Sequence, residues 1–374
     1  MDDVKNELVG PVEEFLSKSL TPDRRLAMLE AAGDEPKLWA EVAALGWFGL
    51  TAAEEEGGLG MHPSQLASVF RAFGERLLTG PMLEQMLVPG LILAAVSGSG
   101  DESAAVTDRV RPTLTGDVRM VVADPGVTYH WQHVNGKLQV TNNRLDGELE
   151  LVRFGAEADE ILVVTQDELG PLVALIDSGR NGLTISARPS ADPGAAFAGI
   201  RCDGVLIEPS DVVARAEEAA HLSTQIQAWQ RVLLACELAG IARRMLDLTL
   251  AYIQQREQFG RQIATFQVMR QMAATAAQRV ILLENFCEAV AQDAPSLTTK
   301  ELALAAMTLK ATASETARLV VEDALQMHGG IGFTYEYELH WYYKRALSLR
   351  TWYGDERELA IEIGRQKLSA PMPA

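Results

Sequence analysis

Apolar positions along the chain change their period twice. From Val4 to about Ser99 they recur at helical spacing: Leu66, Val69, Phe70 and Phe73 stand at i, i+3, i+4 and i+7 of a helix expected over Pro63–Leu78. Gln65, Arg71 and Glu75 fall on its other side. Lys37 to Leu45 reads as a shorter amphipathic helix ended at Gly46, and Glu54 to Gly60 is too glycine-rich for anything but a loop. Beyond the Ser97-Gly98-Ser99-Gly100-Asp101 break and Pro112, the period becomes two. Runs at Val118–Asp124, Leu138–Asn142, Glu148–Phe154, Glu160–Gln166, Leu172–Asp177, Leu183–Ala187 and Gly199–Ile207 are separated by Asn-Gly, Asp-Gly and Pro-Gly turns. They predict a small antiparallel β-barrel or sandwich. From Ala219 to near Leu368 the helical period returns, broken at Gly260, Pro295 and Gly329. Leu233, Leu234, Leu238, Ile241, Met245, Leu248 and Tyr252 make more than one stripe, which predicts a helix covered on several sides, in a four-helix bundle whose outer face meets another subunit. The chain therefore reads as α+β: an N-terminal helical domain over 1–115, a middle β domain over 116–215 and a C-terminal bundle over 216–374.

Composition narrows the partners. The formal charge of −18 argues against nucleic acid and against an anionic membrane surface, both of which need a basic footprint. No long apolar run free of charge occurs, and the start (Met1-Asp2-Asp3-Val4-Lys5-Asn6-Glu7) is acidic where a signal peptide is basic, so a cytoplasmic protein without membrane insertion is expected. Cys202, Cys236 and Cys287 are widely spaced in sequence, with no C-x-x-C, so no metal site or disulfide framework is expected and the three read as small buried hydrophobes. Basic residues gather late in the chain, at Arg231, Arg256, Arg261, Lys344, Arg345 and Arg350.

Three runs sit at seams of the helical third: Arg256-Glu257-Gln258-Phe259-Gly260-Arg261, then Phe266-Gln267, then Gln326-Met327-His328-Gly329-Gly330-Ile331-Gly332-Phe333. The first closes the apolar helix from Trp229 to Ile253 with a glycine. The third closes a helix over about Thr299–Met327 with two, where backbone can approach a ligand without a Cβ in the way.

In this order the runs resemble the acyl-CoA dehydrogenase family of flavoproteins, which carries an R-x-x-F-G turn, a Gln early in the next helix, and a Q-x-x-G-G-x-G-[FY] turn. The Leu45-Gly46-Trp47-Phe48-Gly49-Leu50 run and the Glu56-Gly57-Gly58-Leu59-Gly60 loop resemble that family's N-terminal helical domain. The resemblance implies FAD as cofactor, an acyl-CoA thioester as substrate and an electron-accepting flavoprotein as partner. It also implies that Arg256, Gln258, Phe259, Gln267, Gln326, Gly329 and Gly330 contact the FAD of a neighbouring subunit.

The family's chemistry needs a carboxylate to take the α-proton as hydride leaves the β-carbon, with the thioester carbonyl polarised by hydrogen bonds. In most members that base is the Glu of a Y-E-G-T motif, and in a minority a Glu immediately before an Arg on the long helix. Here Tyr353 is followed by Gly354, and Arg231 is preceded by Gln230, which cannot accept a proton at neutral pH. Asp355 is the nearest substitute, and it also suits the N-cap of a last helix over Glu356–Lys367. The family's T-E-P-x-A-G-S-D flavin loop is missing as well: Ala123-Asp124-Pro125-Gly126 runs directly into Val127-Thr128-Tyr129. The aromatic that stacks on flavin is reduced to Phe154, or Phe154 is a core residue at a strand end. Some actinobacterial members work as α2β2 tetramers in which one subunit type supplies the base and the other completes the FAD site, and this chain resembles the second type. Three readings stand: such a subunit, a self-sufficient flavoenzyme with Asp355 as base, and a flavin-free structural homologue.

Overall fold

The computed structural model describes residues 2–30, 36–97, 100–126 and 136–369. Six helices come first: α1 (Asp2–Ser19), α2 (Pro22–Glu30), α3 (Pro36–Ala44), α4 (Leu66–Arg76), α5 (Met82–Val96) and α6 (Gly100–Leu114). The face of α4 carrying Leu66, Val69, Phe70 and Phe73 is buried, as its spacing requires. Helix α6 was not legible, because its glycine start and Pro112 in its last turn imitate a loop.

Eight strands follow in two sheets: β1 (Met120–Ala123), β4 (Glu160–Asp167), β5 (Gly170–Asp177) and β8 (Val212–Arg215) in one, and β2 (Gly136–Thr141), β3 (Arg144–Arg153), β7 (Phe197–Leu206) and β6 (Leu183–Arg188) in the other. Of the two sequence alternatives the sheets form a sandwich, with no closed barrel, and it is not wholly antiparallel: β1 runs parallel to β4. Val121, Ile161, Val163 and Ala174 point into the sandwich core with Leu149 and Ile200 of the second sheet. Their neighbours Met120, Val122, Leu162, Val173 and Leu175 point the other way, into the main helical core. Period two thus gives the first sheet two apolar faces, while β2 and β6 keep one face in solvent.

Helices α7 (Ala216–Gln255), α8 (Gln267–Asp293), α9 (Thr299–His328), α10 (Leu339–Thr351) and α11 (Glu356–Ser369) complete the chain. The long α7 is central: every residue from Ile226 to Ala242 is buried within this one chain. Its all-round apolar character is thus satisfied internally: the helix is covered on several sides, as its stripes predict, by elements of its own chain. It crosses α4 backbone to backbone, since a Cβ on Gly240 would lie 1.9 Å from the Arg71 carbonyl and one on Gly74 would lie 2.0 Å from the Glu237 carbonyl. Exposed apolar surface lies instead on α8, at Val268, Ile281 and Leu282, and on the turns, at Phe259 and Phe333.

A buried guanidinium ties the three regions together. Arg345 on α10 donates to Asp192 before β7 (2.6 Å), to Glu237 on α7 (3.2 Å) and to the Leu78 carbonyl after α4 (3.2 Å). No helix of the described residues is long and apolar enough to cross a membrane.

Candidate functional site

At the end of α7, Arg256 N–H still bonds back to the Tyr252 carbonyl at 2.8 Å, and the chain then makes a tight hairpin, β9 (Glu257–Gln258) against β10 (Arg261–Gln262). The two residues at its tip, Phe259 and Gly260, have φ of 56° and 75°, as a type I′ turn requires. A glycine takes that conformation freely, whereas Phe259 takes it at a cost of about 1–3 kcal/mol and holds its ring 92% exposed. Arg256, Gln258 and Gln267 are exposed too, and the Arg256 side chain has no ion pair or hydrogen bond among the described residues. Arg261 lies over the Phe266 ring at 4.1 Å, and Arg270 donates to the Ala264 carbonyl at 3.1 Å. Three guanidinium groups thus gather around one turn of an acidic chain.

The second turn lies at the end of α9. Gly329 has φ 64° and ψ −140°, and its N–H bonds back to the Leu325 and Gln326 carbonyls. An ideal Cβ on Gly329 or on Gly330 would meet nothing within 4 Å, so no packing in this chain explains the bare backbone there. Gln326, Gly329 and Gly330 are exposed, and Phe333 just beyond is 73% exposed. The two turns are neighbours: the Tyr252 hydroxyl donates to the His328 carbonyl at 3.3 Å. Arg256, Gln258, Phe259, Gln267, Gln326, Gly329 and Gly330 are therefore all exposed, on turns whose helix ends touch through Tyr252 and His328.

Arg231 is 25 residues back along the same helix from Arg256, about 37 Å at the α-helical rise. Its surroundings are the opposite of those at the two turns. Arg231 is buried, and its Nε donates to the Tyr353 carbonyl at 3.1 Å. Burial is the main force that pulls its pKa down, to about 10. Gln230 is 0% exposed, with neither amide atom hydrogen-bonded. Tyr353 and Gly354 are buried, with φ of 57° and 102°. A Cβ on Gly354 would lie 2.8 Å from Leu359 Cδ2. Asp355 caps α11: its Oδ1 accepts from Arg357 N–H and Glu358 N–H, each at 2.9 Å.

Other buried polar groups crowd this turn, and sequence reasoning missed them. Gln227 donates to Asp124 at 2.7 Å, and burial raises the Asp124 carboxyl. Glu84 and Arg153 face each other at 3.8 Å, and Arg153 also lies over the Trp352 ring. Lys310 is buried with Nζ donating to Ser314 Oγ (2.9 Å) and to the carbonyls of Arg350 (2.9 Å) and Gly354 (3.2 Å). Burial, and then Arg231, pull its ammonium down to about 7. A sequence signal existed for two of them: Lys310 interrupts the apolar stripe of Ala306, Ala313 and Ala317, and Glu84 interrupts the apolar run of α5. Phe154 is buried in the sandwich core, as a core aromatic. Residues 127–135, which include the Val127-Thr128-Tyr129 run, lie outside the described residues.

Of the late basic residues, Arg231 and Arg345 are buried and Arg350 is paired with Glu356 at 2.6 Å. Lys344 sits over the Tyr335 and Trp341 rings. Of these six residues the two that are exposed, Arg256 and Arg261, both lie at the hairpin. Cys236 and Cys287, distant in sequence, both line a cavity of about 510 Å³ between α1, α4, α7 and α8, apart from either region. No group of three or more His, Cys, Asp or Glu able to hold a metal ion occurs among the described residues.

This architecture, an N-terminal helical region, a β-sandwich and a C-terminal helical bundle, is the acyl-CoA dehydrogenase fold. The chain belongs to the acyl-CoA dehydrogenase family, oxidoreductases acting on CH–CH bonds: residues 3–98 match the acyl-CoA dehydrogenase N-terminal domain and residues 221–368 the acyl-CoA dehydrogenase C-terminal domain. It is 28% identical over 332 residues to acyl-CoA dehydrogenase IpdE2 of Mycobacterium tuberculosis, covering 86% of this chain and 84% of that one. With acyl-CoA dehydrogenase FadE27 of the same organism it is 26% identical over 379 residues, 98% of this chain and 97% of that one. Its fold matches the ChsE4-ChsE5 complex from Mycobacterium tuberculosis with a TM-score of 0.85 over 98% of each chain, at 22% identity.

Proposed function

We propose that this chain is a subunit of an FAD-dependent acyl-CoA dehydrogenase that completes the FAD site of a catalytic partner subunit and supplies no base of its own. One contrast carries the reading. The turn bearing Arg256 and the turn bearing Gly329 are open, while the turn at the family's base position is closed: Gly354 is pressed on Leu359, Gln230 is sealed and Asp355 is spent as a helix cap. The α2β2 assembly this implies is in keeping with the likeness to ChsE4-ChsE5, which is a complex.

The open face fits an extended anionic cofactor. Arg256 offers an unpaired guanidinium for a charge-assisted contact with a pyrophosphate. Gly329 and Gly330 leave backbone bare on the side where a Cβ would meet no protein atom. Gln258, Gln267 and Gln326 add neutral donors and acceptors, and Phe259 an apolar cover. FAD when bound there would supply the acceptor for the hydride lost from the acyl β-carbon. This chain's part is to hold the cofactor's nucleotide end and exclude water from it. The α-proton would go to the partner's carboxylate, and the electrons onward to an electron-accepting flavoprotein. Three domains over 1–115, 116–215 and 216–374, a tetrameric state and a cytoplasmic location belong to the same reading.

The test is flavin content. Purified alone, the chain should carry little FAD; purified with the acyl-CoA dehydrogenase subunit encoded beside it, the pair should bind FAD and turn over acyl-CoA. Full FAD occupancy and turnover by the chain alone would overturn the reading.

A further inference from the structure

The open face is made of two turns on different helices, so its shape depends on whatever locks the end of α7 to the end of α9. The main core touches this end of the bundle through Leu325, with Leu250 and Tyr337 packed on it. A separate small cluster lies beside it, with Ile253, Ala273 and Met327 buried and Tyr252, Ile263 and Met269 packed on them. Three polar aromatic side chains beside it make directional contacts.

His328, the last residue of α9, is buried. Its Nδ1 lies 2.8 Å from the Ala324 carbonyl, so Nδ1 must carry the proton. Nε2 is then an acceptor, and the Tyr337 hydroxyl lies 3.2 Å from it. Desolvation lowers the pKa of His328 and favours this neutral form. The imidazole stacks on Tyr252 with centroids 4.3 Å apart and planes at 22°. The Tyr252 hydroxyl satisfies the His328 carbonyl, one of the acceptors a helix end leaves without an intrahelical donor. Tyr252 is also the residue whose carbonyl receives the Arg256 N–H, and the Arg256 carbonyl receives that of Ile263. A continuous path of contacts therefore runs from Tyr337 through His328 and Tyr252 to Arg256.

We propose that Tyr252, His328 and Tyr337 are positioning residues for the cofactor face: they hold the Arg256 hairpin and the Gly329-Gly330 turn in register without touching the cofactor. This rests on the reading that the face completes a partner's FAD site. The Nδ1–H bond to Ala324 stays within α9, so the contacts that span elements are Tyr252 O–H to the His328 carbonyl, Tyr337 O–H to Nε2 and the stack of the imidazole on Tyr252.

The experiment titrates FAD into the flavin-depleted complex of this chain with the subunit encoded beside it and reads flavin fluorescence, with melting temperature measured in parallel. Arg256→Ala reports on the face itself. His328→Leu should weaken FAD about tenfold and Tyr337→Phe about threefold, the span expected for losing one to two buried hydrogen bonds. His328→Gln should recover most of the loss, because its amide oxygen can accept from Tyr337. Tyr337→Phe added to Arg256→Ala should cost less than on its own, since it acts through the hairpin that Arg256 no longer uses. If Arg256→Ala weakens FAD while His328→Leu and Tyr337→Phe do not, the positioning role is refuted and the functional reading stands. If Arg256→Ala has no effect either, the functional reading falls and takes this inference with it. Fully additive losses in the double variant would also refute positioning through the hairpin. Where His328→Leu fails to assemble, Tyr337→Phe, which removes a single oxygen and keeps the ring, decides the matter by the same outcomes.

Discussion

The C-terminal end of α7 and its middle make opposite use of the same residue types. Around Arg256 a guanidinium stands in solvent with no partner among the described residues, a phenylalanine holds positive φ with its ring exposed, and two glycines leave backbone uncovered. Around Arg231 a guanidinium, a tyrosine at positive φ and a glycine are all buried against one another. Strain and bare backbone at an exposed turn have no packing to explain them and point outward, to a ligand or partner. The same features at a buried turn are explained by packing alone. Within one chain, motif residues that face outward and motif positions that have been filled in can thus be told apart by exposure.

The comparison can be broken most forcefully at Gly354. Gly354→Glu restores the family's base residue on paper, but here it places a side chain at φ 102° with its Cβ 2.8 Å from Leu359. Backbone strain and overpacking together should lower stability by about 2–5 kcal/mol. Urea denaturation of the variant measures this; a stable variant that gains dehydrogenase activity would show that the turn at Gly354 is not closed.

Arg256→Ala probes the exposed region. Losing one charge-assisted contact should weaken FAD retention in the complex by about 1.5–3 kcal/mol, while the melting temperature of this chain without flavin stays unchanged because the side chain is exposed. Unchanged flavin affinity would remove the exposed face from the comparison.

Lys310 sharpens the contrast through pH. Its folded pKa of about 7 lies below the unfolded value of about 10.4, so between these values the unfolded chain binds the proton more tightly and stability rises with pH. From about pH 7 to about pH 9, wild type should gain on Lys310→Met by up to about 1.4 kcal/mol per unit. Parallel pH profiles of the two unfolding midpoints would mean that the buried turn does not hold a depressed lysine.

The smallest effect is expected at Asp355. Asparagine caps a helix about as well as aspartate, so Asp355→Asn should change stability by under about 0.5 kcal/mol. Turnover of the complex should change less than about threefold, or about 0.65 kcal/mol of barrier. A hundredfold loss with normal flavin content would instead make Asp355 the base.

Sequence by itself determined what depends on near neighbours in the chain. Helical and strand periods marked α4 and the strands β1 to β7, and the spacing of Arg256, Gln267 and Gln326 marked the family, because period and motif spacing survive without knowledge of what packs on them. It left β8 out, since four residues between turns carry too little alternation to register. It predicted that α7 is covered on several sides but not by which elements, because periodicity reports that a face is covered and not by what. Only the tertiary structure decided that α7 is wrapped by its own chain, through glycine contacts with α4 some 165 residues away in sequence. Only it brought Glu84, Asp124, Arg153, Arg231, Lys310 and Tyr353 to one closed turn, and Tyr252, His328 and Tyr337 to one stack. Exposure separates the two regions of α7, and exposure is a property of the whole packed chain: the same arginine or glycine letter is open to a ligand where nothing covers it and structural where something does.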